Sequence, residues 1–172
     1  MTRPAATDHS EFHARYVNLV PEQELLAAMR AQEAVTRAAF LAFADRPEHA
    51  YAPGKWTVKQ MLGHMTDTER VFGFRALWIS RADPAPLPGF EQDDWMGAAD
   101  FSPYTLPDLL AEFHTVRAGH LSWLGHLPAD AQDCAWDRRG VVSGQEVTVR
   151  ALAYMLLGHE RAHLELLRER YS

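Results

Sequence analysis

The apolar residues of the C-terminal region recur with helical spacing, and two positions on that stripe are histidines. The stripe begins after Thr148 and comprises Leu152, Met155, Leu156, His159, His163, Leu166 and Leu167. Residues four apart lie one turn apart on the same helical face, so His159 and His163 point in the same direction. The pattern therefore predicts an α-helix that carries two imidazoles on its core-facing side.

An imidazole on a buried stripe is costly unless its nitrogens find partners. One such residue is usually a satisfied packing histidine, but two at this spacing can bind one transition-metal ion. The residues His159 to His163 also spell H-E-x-x-H, the zinc-protease signature, whose third ligand normally follows downstream. The residues after His163 contain neither His nor Gly. We therefore expect an upstream third ligand, and we expect Glu160, about 100° around the helix, at the surface.

Three further amphipathic segments precede this helix, and each carries a recognisable start or stop signal. The sequence Thr57-Val58-Lys59-Gln60 is a capping box, and Thr105 precedes a tolerated early proline. The predicted helices cover about 10–44 (broken near Pro21), 57–82 and 105–127, with an irregular segment at 84–104 and a possible β-ribbon within 129–147. These elements predict an all-α four-helix bundle with a long crossover loop, formed by residues 1–172 as a single domain.

His64 is the upstream candidate for the third ligand, because it lies two turns into the second predicted helix and can face the interior. Three protein ligands leave coordination positions open, which is the catalytic arrangement rather than the structural one. Asp67, three residues later, can orient a ligand imidazole, act as a base or simply lie at the solvated surface. His9 and His13 repeat the four-residue spacing, but we expect them at an exposed end without a site.

The segment 84–104 is too long to be a simple turn, and such segments often have a function in compact domains. It contains several aromatic residues among acidic ones, of which Phe90 and Trp95 are candidates for an apolar substrate-binding wall. A lid over the site and a connector that merely covers the core are equally compatible with this composition.

Composition excludes several classes of protein. The net charge of −6 argues against nucleic-acid binding, which needs a basic face. Because neither a signal peptide nor an apolar run of about 18 residues is present, we expect a cytoplasmic protein without a membrane span. Cys134 is the only cysteine. It fits a reducing compartment, and we expect it to be a bystander rather than a nucleophile.

The chain resembles the DinB-like (YfiT-type) metal-binding four-helix bundles, a superfamily that includes thiol-dependent S-transferases. The resemblance lies in Trp56-Thr57-Val58-Lys59-Gln60 before His64, and in Thr148-Val149-Arg150 before His159 and His163. It implies that these three histidines bind one divalent metal, most often zinc or nickel, with iron or manganese possible. It also implies a homodimer and a low-molecular-weight thiol cosubstrate (bacillithiol, mycothiol or glutathione) that attacks a small electrophile in stress or detoxification.

Three alternatives to thiol transfer remain at this point. A metal-bound hydroxide could hydrolyse an ester or amide. The protein could be a non-enzymatic metal-binding stress protein, or a bundle whose histidines only pack in the core.

Overall fold

The computed structural model describes residues 2–129 and 134–171, so part of the predicted ribbon region lies outside the described residues. The elements are α1 (Glu11–Val17), α2 (Leu25–Leu41), α3 (Val58–Ser80), α4 (Gln92–Ala98), α5 (Leu106–Leu124), β1 (Arg139–Val142), β2 (Gln145–Thr148) and α6 (Val149–Arg170). The four long helices α2, α3, α5 and α6 form the predicted bundle. The described part of the chain has no helix with both the length and the apolarity needed to cross a bilayer.

The starts of three long helices are fixed by threonine caps, two of which, at Thr57 and Thr105, the sequence predicts. At the start of α3, the Thr57 hydroxyl accepts the Gln60 backbone N–H at 3.2 Å, and the Gln60 side chain accepts the Thr57 N–H at 2.8 Å. Thr105 caps α5 in the same way with Asp108. Thr148 caps α6. Each cap satisfies backbone donors that the first helical turn leaves without a partner.

The break predicted near Pro21 is confirmed: the segment 10–44 forms two helices, α1 and α2, because residues 18–24 leave the helical conformation. Another predicted region differs in detail from the structure. The segment 84–104 is not wholly irregular, since it contains the short helix α4. Its beginning is held against the ribbon, where the Leu87 N–H donates to the Val141 carbonyl at 2.8 Å and the Ser143 N–H donates to the Leu87 carbonyl at 3.0 Å.

The strands β1 and β2 form the antiparallel ribbon that the sequence allows. They are joined by Ser143 and Gly144, which have positive φ values of 51° and 76°. Two consecutive positive φ angles give a turn whose twist matches that of the paired strands. Strand β2 ends at Thr148, and α6 begins at the next residue, Val149.

The bundle core consists of two apolar clusters with a polar layer between them. One cluster contains Leu25 and Met29 of α2, and the other contains Phe40 of the same helix. Each long helix passes from one cluster to the other, and each contributes buried polar side chains between them: Thr36, His64, Thr68, Glu69, Arg117, His159 and Glu160. Two histidines of the predicted site, His64 and His159, lie in this layer, and His163 lies one helical turn beyond His159.

Within this layer, an ion-pair network joins all four long helices. Arg117 of α5 donates to both carboxylate oxygens of Glu69 on α3, at 2.6 and 2.9 Å, and to Glu160 of α6 at 2.8 Å. Thr36 of α2 donates its hydroxyl to the other Glu160 oxygen. His120 lies 3.0 Å from Glu69. The network behind the histidines is therefore part of what fixes the relative positions of the helices.

The expectation that Glu160 lies at the surface is wrong, because its exposed fraction is only 1%. The reason is the position of α6, whose residues 149–160 are all buried. A helix that is surrounded on every side has no surface face, so a residue 100° from the histidines still points at a neighbouring helix.

Candidate metal centre

The three histidines predicted to bind metal lie together in the structure. His64 comes from α3, while His159 and His163 come from consecutive turns of α6. The Nε2 atom of His159 lies 3.2 Å from that of His64 and 3.1 Å from that of His163. One ring nitrogen from each histidine lies within 4.8 Å of the other two. Their ring nitrogens therefore converge on one point.

Burial keeps all three imidazoles neutral near pH 7. It lowers the pKa of His64 to about 4 and that of His163 to about 3. It also lowers the pKa of His159 well below its ordinary value, and the neighbouring histidines add to that effect. A neutral imidazole offers a lone pair, and this is the form that binds a metal ion.

The donor set fits one divalent transition-metal ion. A neutral imidazole nitrogen carries either a proton or a lone pair, so His159 Nε2 cannot accept from one neighbour and donate to the other at the same time. One ion between three lone pairs satisfies all three nitrogens, and imidazole suits zinc, nickel, copper and iron. Each residue's role as a ligand stays a prediction until an ion is measured.

Aromatic side chains hold the histidine rings in place. The Trp56 ring contacts the His64 ring at a tilt of 44°, with 4.6 Å between ring centroids, and Tyr16 and Phe72 approach His159 edge-on at 5.3 and 5.7 Å. Tyr16 can reach the site because Gly158 lets α1 pack tightly on α6: a Cβ atom there would lie 2.1 Å from the Tyr16 carbonyl oxygen. The glycine before His159 therefore brings α1 into the wall of the site.

A cavity of about 830 Å³ opens over His64 and His159. Its walls come from α1, from the cavity-facing side of α3, from residues 89–93 and from the tip of the β1–β2 ribbon. The structure therefore combines a cluster of potential metal ligands with room for a small molecule beside it, which is a common form of an active site.

The other predicted site residues divide between this cavity and a neighbouring one. Phe90 lines the histidine cavity. Trp95 and Asp67 do not; they line an adjacent cavity of about 370 Å³, whose wall Phe90 shares. Asp67 lies 3.5 Å from Arg70. No side-chain hydrogen bond or ion pair of the described residues joins Asp67 to the histidines, so its catalytic role stays a prediction without structural support.

Sequence reasoning missed several residues of the cavity. His13, which we expected at an exposed end without a site, lines the wall, because α1 folds onto α6. Thr68 and Arg75 also line it. Their signal was present in the sequence: they follow His64 by 4 and 11 residues, a spacing that places them on the same face of α3.

Comparisons with known proteins agree with this geometry. The family model of the DinB superfamily matches residues 11–167. Among solved structures, YfiT from Bacillus subtilis, described as a probable metal-dependent hydrolase with an unusual four-helix bundle topology, superposes with a TM-score of 0.65. The match covers 88% of this chain and 90% of YfiT at 16% sequence identity, so the likeness is one of fold. No curated protein matches the sequence significantly.

Proposed function

The chain belongs to the DinB superfamily, and from this premise we propose that it is an enzyme in which His64, His159 and His163 bind one divalent metal ion. The convergence of three neutral imidazoles beside an open cavity carries the proposal. We expect zinc or nickel first, since imidazole nitrogen suits both; iron also fits, and manganese, which prefers oxygen ligands, is the least favoured of the four. Three protein ligands leave room for a fourth from the reactants.

The proposed reaction transfers a low-molecular-weight thiol of the bacillithiol type to a small electrophile. When bound, the metal supplies a Lewis acid that lowers the pKa of a ligated thiol. The thiol sulfur forms the new bond to carbon, its proton passes to a base, and the leaving group departs with its electron pair. His13, a neutral imidazole in the cavity wall, is the candidate to accept that proton.

The absence of a cysteine from this cavity supports an external nucleophile. Cys134, the only cysteine, lines a different cavity together with Trp136 and Arg150. A thiol that reacts at the histidines must therefore come from a cosubstrate. The apolar wall at Phe90 suits the electrophile, while the role proposed for Trp95 would require a substrate that extends into the adjacent cavity.

Hydrolysis is the second candidate, and the description of YfiT as a probable metal-dependent hydrolase favours it. The same three histidines would then hold an ion whose open position takes water instead of a thiol, and such an ion would lower the pKa of that water towards neutrality. The difference between the two candidates lies in the nucleophile and not in the residues of the site.

The test is turnover by metal-loaded, tag-free protein with a chromogenic aryl halide and bacillithiol, mycothiol or glutathione, beside a model ester without thiol. We expect thiol-dependent conjugation that His64→Ala abolishes and that His126→Ala, a change at an exposed histidine outside the site, leaves intact. Ester cleavage without thiol would replace transfer by hydrolysis. Metal binding that stabilises the protein without any turnover would leave the non-enzymatic alternative.

A further inference from the structure

One face of α3 lines the histidine cavity along three helical turns. His64, Thr68, Phe72 and Arg75 follow one another at intervals of four, four and three residues, and all four line the cavity. This spacing places them in a row along the helix axis. Arg75 lies eleven residues from His64, which is about 16 Å along the axis.

Arg75 is a buried cation without a buried counter-ion. Its exposed fraction is 7%, and its guanidinium donates one hydrogen bond, at 2.7 Å, to the Pro88 carbonyl. No carboxylate of the described residues forms an ion pair with it, although three exposed acidic residues line the same cavity: Glu11, Glu91 and Asp93. Burial lowers the pKa of this guanidinium, and no neighbouring acid opposes the effect.

The surroundings of Arg75 leave part of its guanidinium available to a ligand. The group lies 5.9 Å from the Phe72 ring centroid and 5.7 Å from that of Phe90, so two aromatic rings hold it at the cavity wall. An arginine presents five N–H donors in a planar fork that matches a carboxylate. A buried charge of this kind is costly unless an opposite charge joins it.

Thr68 provides a second, independent observation. Its exposed fraction is 2%, and its hydroxyl oxygen is buried without a hydrogen-bond partner in the described part of the chain. A helical threonine usually donates to the carbonyl four residues earlier, as Thr66 does to Leu62 at 3.0 Å. Thr68 forms no such bond, and the residue lines the cavity one turn beyond His64.

We propose that the cavity binds an elongated molecule whose reacting end lies at the three histidines and whose carboxylate pairs with Arg75. A polar group near its reacting end bonds the Thr68 hydroxyl, and its middle lies against Phe72. The inference rests on the proposed function, because it uses the same metal centre, and it identifies the substrate class: one reactant is an anion with several bonds between its reacting atom and its charge.

The test measures binding of mercapto acids of increasing length to Co²⁺-loaded protein, with mercapto alcohols of equal length as uncharged controls. Absorbance from sulfur-to-cobalt charge transfer reports thiol binding without any turnover. We expect a mercapto acid of the series that is long enough to reach Arg75 to bind about tenfold tighter or more than its alcohol. Mercaptoacetate should show no such advantage.

Three variants separate the contributions. Arg75→Gln should abolish the preference for the acid, while Arg70→Gln, a change at a more exposed arginine of the same helix, should keep it. Thr68→Val keeps the shape of the side chain. It should weaken the binding of mercapto acids that carry a hydroxyl group beside the thiol-bearing carbon, and it should leave the simple acids and alcohols, which have no polar group there, unchanged. The cobalt spectrum of each variant without thiol shows whether its metal centre is intact.

The possible failures are distinguishable. If no thiol changes the cobalt spectrum, the proposed function is wrong. If acids and alcohols of every length bind the parent protein equally, the metal–thiol site stands and the Arg75 proposal is wrong. That comparison needs only the parent protein, so it decides the matter even where Arg75→Gln does not fold.

Discussion

Arg117→Met is the substitution that most directly tests the network behind the metal centre. Arg117 has an exposed side-chain fraction of 4% and lies between the carboxylates of Glu69 and Glu160, which are equally buried. Methionine has a similar length but no charge, so the change removes the cation and leaves two buried carboxylates facing each other. Breaking a buried ion pair in this way typically costs about 3–5 kcal/mol.

The magnitude can also be worked from the protonation of these carboxyl groups. Burial alone would raise the pKa of Glu69, but Arg117 and His120 outweigh it and hold the pKa at about 2. Without Arg117, a buried glutamate avoids its unpaired charge by taking a proton. With an ordinary pKa of 4.5, protonation at pH 7 costs about 3 kcal/mol per carboxyl group. Protonation of one of the two groups therefore gives a figure within the range expected for a broken buried pair, and protonation of both would cost about 7 kcal/mol.

The same reasoning gives the sign of the pH dependence. A carboxyl group whose folded-state pKa is raised above 4.5 stabilises the fold at low pH and loses that contribution as the pH rises. The variant should therefore recover stability on acidification towards about pH 5, where the protonation cost falls below about 1 kcal/mol. In the parent protein, ionised Glu69 stabilises the fold fully above pH 4.5, and this stabilisation is lost only as the pH falls through about 2.

The assay is urea unfolding of metal-free parent and variant proteins at pH 7 and at about pH 5. Arg70→Met is the matched control, because Arg70 also joins α3 to α5 through a glutamate, Glu112, but its side chain is 46% exposed. An exposed pair contributes less than about 1 kcal/mol. The reasoning would be refuted if Arg117→Met lowered the free energy of unfolding as little as the control does. It would also be refuted if the difference in free energy of unfolding between parent and Arg117→Met were the same at both pH values.

Three further changes test other parts of the structure. Thr57→Ala removes the cap of α3 and should lower the free energy of unfolding by about 1 kcal/mol, measured in urea, whereas Thr57→Ser should not. Gly158→Ala forces α1 away from α6 through the contact with Tyr16 and should cost about 1–3 kcal/mol and speed hydrogen exchange in α1. Gly97→Ala, with nothing within 4 Å, should be neutral or stabilise by up to about 1 kcal/mol, because alanine favours the helix, and equal effects of the two alanines would contradict the packing argument. A divalent ion at a hundred times its Kd should stabilise the parent by about 2.7 kcal/mol and leave His163→Ala unchanged, as calorimetry can check.

Features that depend on local spacing could be predicted from the sequence. The caps at Thr57 and Thr105 and the i, i+4 pair His159 and His163 follow from contacts within one turn of helix, so their geometry needs no tertiary information. The choice of His64 additionally required that α3 face α6. The DinB resemblance and the apolar stripe of α3 both indicated this packing, and the structure confirms that the three rings lie together.

Features that depend on packing between distant segments could not be predicted in this way. Glu160 is buried because α6 is enclosed on all sides, and no periodicity within α6 reveals which neighbours cover its polar face. His13 lines the cavity because Gly158 admits α1, a contact between residues far apart in sequence. The separation of Asp67 from the histidines likewise depends on where Arg70 and the 84–104 segment lie.

The central claim is that His64, His159 and His163 form a metal centre, and elemental analysis of tag-free protein tests it most directly. The measurement compares the parent with the variant in which all three histidines are alanine. The account predicts close to one equivalent of zinc, nickel, iron or manganese in the parent and none in the variant. A parent that stays metal-free after reconstitution, with a triple variant as stable as the parent, would show that the histidines are packing residues.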